Sequence, residues 1–201
     1  MRETSTKPRL LVLVASLALA VALLFAALAV FASEARAGSF GSEPPNAVLM
    51  KGPEVLQVRE FYGGQWCHYQ DTGWTCGIYD PVGTYYFPKA DAVGAGTRLH
   101  VRLAKPEHPS TVAINAWTKT KTMPGQPPMT GKFPAGQRQK LKHTFVGRVE
   151  RDGETVGWNV FFRVNEPERQ YYLVVQAAWE EVPGTHISYG NADYPFHVKT
   201  R

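Results

Sequence analysis

The densest chemistry in this sequence is cationic. Lys119, Lys121, Lys132, Arg138, Lys140 and Lys142 fall within residues 118–142, which contain no Asp or Glu. Uncompensated ammonium and guanidinium groups attract anionic lipid headgroups, acidic polymers or acidic protein surfaces, with an affinity that salt screens. A second concentration is aromatic and lies within residues 61–87. Trp66, Tyr69 and Trp74 are the rings that a hairpin there would present, and such rings bind sugar faces or protein partners.

Catalytic patterns are missing. The chain has no GxSxG, no HExxH and no CxxC. Residues 125–132 (GQPPMTGK) imitate a phosphate-binding loop, but the spacing is one residue too long and Phe133 stands where Ser or Thr is required. Glu180 and Glu181 are neighbours, so on a strand they point to opposite faces and cannot act as an acid–base pair. Asp71, Asp80 and Asp91 sit beside turn residues, where carboxylates shape turns. The six histidines, His68, His100, His108, His143, His186 and His197, show no ligand-like spacing. Met123, Met129 and His143 are the only soft set to weigh for copper. No catalytic residue, metal site or cofactor is expected.

Whole-chain charge is 22 Lys and Arg against 17 Asp and Glu. Without residues 1–37, where Arg2, Lys7, Arg9 and Arg36 oppose Glu3 and Glu34, the balance is 18 to 15. So small an excess gives no reason to expect nucleic acid.

Residues 10–33 form an uncharged, largely apolar run preceded by Arg2, Lys7 and Arg9 and followed by Ala35-Arg36-Ala37. That layout is an export signal. As a helix the run would extend roughly 36 Å, enough to cross a hydrocarbon core of about 30 Å. Residues 1–37 are therefore either a signal peptide cleaved after Ala37 or a single N-terminal membrane anchor. Both readings place the remainder outside the cytoplasm, secreted or anchored.

In that compartment Cys67 and Cys76 can form a lasting disulfide. They sit in two short strands around Gln70-Asp71-Thr72-Gly73. A turn centred on Asp71-Thr72 sets Cys67 opposite Cys76 and Tyr69 opposite Trp74, on the same side of the hairpin. The bridge would stabilise by about 2 to 3 kcal/mol. Residues 38–53 are small, polar and proline-marked, and read as a linker.

Residues 54–201 read as an all-β domain, with a disulfide-bearing hairpin region at 54–93 and a β-sandwich core at 94–201. Residues 98–103 alternate with Leu99, Val101 and Leu103 inward, and His100 outward. Residues 111–117 and 143–149 are further strands, and 158–164 carry an apolar face. Residues 171–179 are apolar on both faces and therefore central. Tyr194, Phe196 and Val198 line the last strand, with His197 outward, after a loop at 183–193. Residues 118–142 read as a long loop without secondary structure of its own.

From Gly94 to Lys199 the chain resembles an immunoglobulin-like sandwich. Trp117 falls where such domains place a core tryptophan, and Tyr171 or Tyr172 opens the penultimate strand. Its cysteines differ from the antibody pattern, since they belong to a local hairpin. The combined expectation is a non-enzymatic binding module whose partner is a cell-envelope component or a protein. A carbohydrate-binding domain using the aromatic hairpin is the alternative, and a metal-binding protein or enzyme the third reading.

Overall fold

The computed structural model describes residues 43–70, 72–79, 85–121 and 132–201. The apolar run at 10–33, expected to be an export or anchor helix, lies outside the described residues. In chain order the strands are β1 (Ala47–Lys51), β2 (Glu54–Arg59), β3 (Gly64–Gln70), β4 (Gly73–Tyr79), β5 (Asp91–Val93), β6 (Arg98–Leu103) and β7 (Thr111–Trp117). There follow β8 (Lys119–Lys121), β9 (Phe133–Ala135), β10 (Gln139–Leu141), β11 (His143–Arg151), β12 (Glu154–Arg163), β13 (Gln170–Trp179) and β14 (Tyr189–Thr200). No helix occurs among the described residues, so none there is long and apolar enough to cross a membrane.

One sheet has the order β11-β12-β6-β1-β2, all antiparallel. The larger has the order β10-β7-β13-β14-β3-β4, with β5 parallel beside β14. Strands β8 and β9 form a separate ribbon. The side-chain period of two turns Leu49, Leu99, Val101, Leu103, Val160 and Phe162 of the first sheet inward. Ile114, Tyr171, Leu173, Val175, Tyr194 and Phe196 face them from the second, in one core cluster. Strand β13 lies between β7 and β14, and its outer-face Val174 is also buried. This is the β-sandwich expected from the alternation.

Four expectations need correction. The linker ends earlier than residue 53: β1 lies inside the small sheet with Ala47 and Leu49 fully buried, and the Tyr194 hydroxyl donates to the Pro45 carbonyl at 2.6 Å. The region 54–93 does not precede the sandwich but builds both sheets, because β2 pairs with β1 whereas β3 and β4 extend the larger sheet. Residues 118–142 are not one structureless loop, since β8, β9 and β10 lie within them. Trp117 is not a core tryptophan: it pairs with Tyr172 on the outer face, half-exposed, and Trp66 and Trp179 are buried instead.

Two contacts hold the hairpin and the sheets in place. Strand β14 begins at Tyr189, inside the expected loop, because Tyr189 and Gly190 pair with Cys67 and Trp66. Gly190 has φ +141°, and a Cβ there would stand 2.1 Å from the Gln65 carbonyl oxygen. The backbones meet where no side chain fits. The second contact is Gln57, which points inward opposite Leu49. Its amide donates to the His197 carbonyl and to Asp91 Oδ2, both at 2.6 Å, and accepts from the His197 N–H at 3.0 Å. One side chain thereby ties the edge of the small sheet to the backbone of β14.

Gly190→Ala should displace the hairpin and lower unfolding free energy by more than about 2 kcal/mol in urea titration. Gln57→Ala, which strands the His197 backbone groups, should cost about 1–3 kcal/mol. Unchanged midpoints would contradict these assignments.

Candidate functional site

The chain leaves the large sheet at Leu141, the end of β10, and enters the small sheet at His143, the start of β11. Lys142 is the single residue between. Strand β12 then sets Phe162 opposite His143, and Arg163 lies directly opposite Arg98 of β6. The corner therefore gathers Lys140, Lys142, Arg98 and Arg163 around a shallow open cleft that also includes Thr144, Phe161 and Asn165. All four cationic side chains are exposed, and no carboxylate lines the cleft.

The two arginines have neutral partners. The Arg98 guanidinium lies 4.1 Å from the centre of the Phe161 ring. Arg163 Nη1 donates to the Gly96 carbonyl at 2.6 Å. Like charges directly opposite on a sheet destabilise it, so the cleft holds net positive charge that its own side chains leave uncompensated. Chemically it can accept carboxylate, phosphate or sulfate groups, with two guanidinium forks for bidentate contact. Nothing in it supplies a nucleophile or an acid–base pair.

Of the six basic residues singled out from sequence, Lys140 and Lys142 reach this cleft. Arg138 is exposed just before β10. Lys119 and Lys121 are exposed on β8, and Lys132 is exposed where it bridges Tyr85, next to β9. Among the described residues no ion pair engages any of the six. Arg98 and Arg163 escaped the sequence reading. The outward phase of β6 marks Arg98, but its meeting with Arg163 depends on long-range register.

The Cys67–Cys76 disulfide is formed, and the hairpin register is the expected one. The bond is consistent with an oxidising, extracytoplasmic location. The expected aromatic face needs revision. Trp66 is only 2% exposed and meets Trp179 edge-on at 5.7 Å, so it belongs to the core. Tyr69 and Trp74 are half-exposed and join two rings from the β13–β14 side. His186 stacks on Tyr69 at 3.7 Å, and Tyr189 meets Trp74 edge-on at 4.8 Å.

The histidines divide by environment. His100, expected to be solvated, is buried and stacked on Phe161 at 4.7 Å. Burial, and then the charges of Arg102 and Arg98, push its pKa down. His197 is half-buried, stacked on Tyr172 at 4.2 Å, with Nδ1 donating to the Pro88 carbonyl at 2.9 Å. Burial is again the main cause of its lowered pKa, opposed by the Pro88 hydrogen bond. Among the described residues no three His, Cys, Asp or Glu side chains come together as a metal ion would require. Met123 and Met129 lie outside the described residues.

No protein-family model, curated protein or solved structure matches this chain. The functional reading therefore rests on its own residues.

Because the folded state depresses both histidine pKa values, the unfolded chain takes up protons first as pH falls. Stability should be full above about pH 6.5 and decline as pH drops through the lowered folded values. Urea midpoints measured between about pH 7.5 and 5 should show that decline, and His100→Gln with His197→Gln should flatten it. An equal slope in the double variant would assign the dependence elsewhere.

Proposed function

We propose that this chain is an extracytoplasmic, non-enzymatic binding module whose corner cleft holds an anionic partner at the cell envelope. The observation that carries this reading is the Arg98–Arg163 pair, set side by side with Lys142 and Lys140 and given no carboxylate. A bound anion would relieve the repulsion that this arrangement costs. The exposed cations of β8, with Lys132, lie outside the cleft and add positive charge that can steer the same kind of partner. Anionic lipid headgroups, acidic wall polymers and acidic proteins share the required charge.

Location is argued from the apolar leader together with the disulfide. If residues 10–33 are retained, they hold the domain at the membrane. The sandwich is read as immunoglobulin-like, and the support is Tyr171. This residue opens β13, and its hydroxyl accepts the Glu166 backbone N–H at 3.1 Å, in the manner of a tyrosine corner.

A second reading, carbohydrate binding, draws on the half-exposed Tyr69, Trp74 and Tyr189 with His186. It is the weaker one, because His186 already covers one face of Tyr69.

The test is co-sedimentation of residues 38–201 with isolated cell envelopes at about 50 and 500 mM salt. Retention should be strong at the lower salt and lost at the higher. Replacing Arg98, Lys140, Lys142 and Arg163 with Gln should cut low-salt retention at least about tenfold. Retention equal to wild type would remove the cleft from the account. Salt-independent retention, with tryptophan quenching by soluble glycan, would favour the aromatic reading.

A further inference from the structure

The larger sheet ends at β4, and no described strand pairs with its free edge. Exposed edges are pairing templates that proteins blunt with charge, brevity or bulges. The other sheet ends follow that rule. Strand β2 begins at Glu54 and ends at Arg59, β10 is three residues long and carries Lys140, and β11 is bulged and bears Arg148, Glu150 and Arg151. Strand β4 reads GWTCGIY, seven residues without a charge or a proline. Its Ile78 is 72% exposed, the most exposed large hydrophobic side chain among the described residues.

Register fixes what this edge offers. Cys67 and Cys76 have their Cα atoms 4.0 Å apart, the close spacing of a non-hydrogen-bonded pair. The N–H and C=O groups of Trp74, Cys76 and Ile78 therefore point away from β3, toward the open edge. Their side chains share the outer face, by alternation from Tyr189 and Cys67. Thr75 and Gly77, on the other face, are small.

We propose that β4 pairs antiparallel with β4 of a second copy of this chain, with Cys76 at the two-fold axis. In that register Ile78 of each copy lies opposite Trp74 of the other. This gives an aliphatic–aromatic cross-strand pair twice over, with no like charges opposed. Three facing pairs, each exchanging two bonds, supply about six backbone hydrogen bonds. Thr75 falls opposite Gly77 at the closer non-hydrogen-bonded spacing, where neither side chain obstructs the approach. The strand is thus complementary to itself in pattern, which singles out a second copy as the occupant. The disulfide ties this edge strand to β3.

The test is sedimentation equilibrium of the full chain in a mild detergent, over a concentration series, with two variants of Ile78. Ile78→Pro removes an N–H that points outward and so leaves the β3–β4 ladder intact; Ile78→Lys adds charge without touching the backbone. Wild type should show concentration-dependent doubling of protein mass. Each variant should weaken association at least about tenfold, while near-UV circular dichroism and the disulfide stay unchanged. Val58→Lys, on the exposed β2 edge, should leave association as in wild type. A monomer at every concentration overturns the proposal. So does association that survives both Ile78 variants, which would place the contact in residues 10–33 or elsewhere.

Discussion

The single-residue crossing at Lys142 is the constraint on which the candidate site depends. A strand that changes sheets must turn a corner, and here β10 and β11 are separated by one residue. The edge of the large sheet is thereby held against the edge of the small one. The first pairs of β11 with β12 then set the ends of three strands side by side, and those ends carry Lys142, Arg163 and Arg98. The fold delivers this charge row as a by-product of closing the sandwich. Its cost is electrostatic, and among the described residues the two arginines meet a ring face and a carbonyl.

The hairpin is governed by a different constraint, close backbone approach. Gly190 lets β14 come within contact of Gln65 and Trp66, which turns β3 and β4 from an appended hairpin into the end of the larger sheet. Trp66 consequently enters the core whereas Tyr69 and Trp74 stay half outside. The disulfide staples the same two strands. Gln57 contributes the third fastening, between the small sheet and β14. The Gly190 contact and the Gln57 hydrogen bonds join residues far apart in the chain, whereas the disulfide closes a separation of only 9.

That distance explains what could be read in advance. Strands β6 and β7 were legible to the residue because alternation is a local signal. The Cys67–Cys76 register followed from a turn of known length. Strand β1 was hidden, because AVLMK is short, does not alternate and lies between prolines at 45 and 53. Trp66 was misplaced for a reason available in the sequence: period two sets it on the opposite face of the hairpin from Tyr69 and Trp74. Arg98 and Arg163 were out of reach, since nothing local says that these two strand ends are neighbours. The buried stack of His100 on Phe161 was invisible for the same reason.

Mapping amide chemical shifts of the protein by NMR during titration with a polyphosphate tests the central claim most directly. The account predicts shifts concentrated at residues 96–100, 140–144 and 161–165, fading as salt is added. No shifts, or shifts confined to residues 66–79, would contradict it.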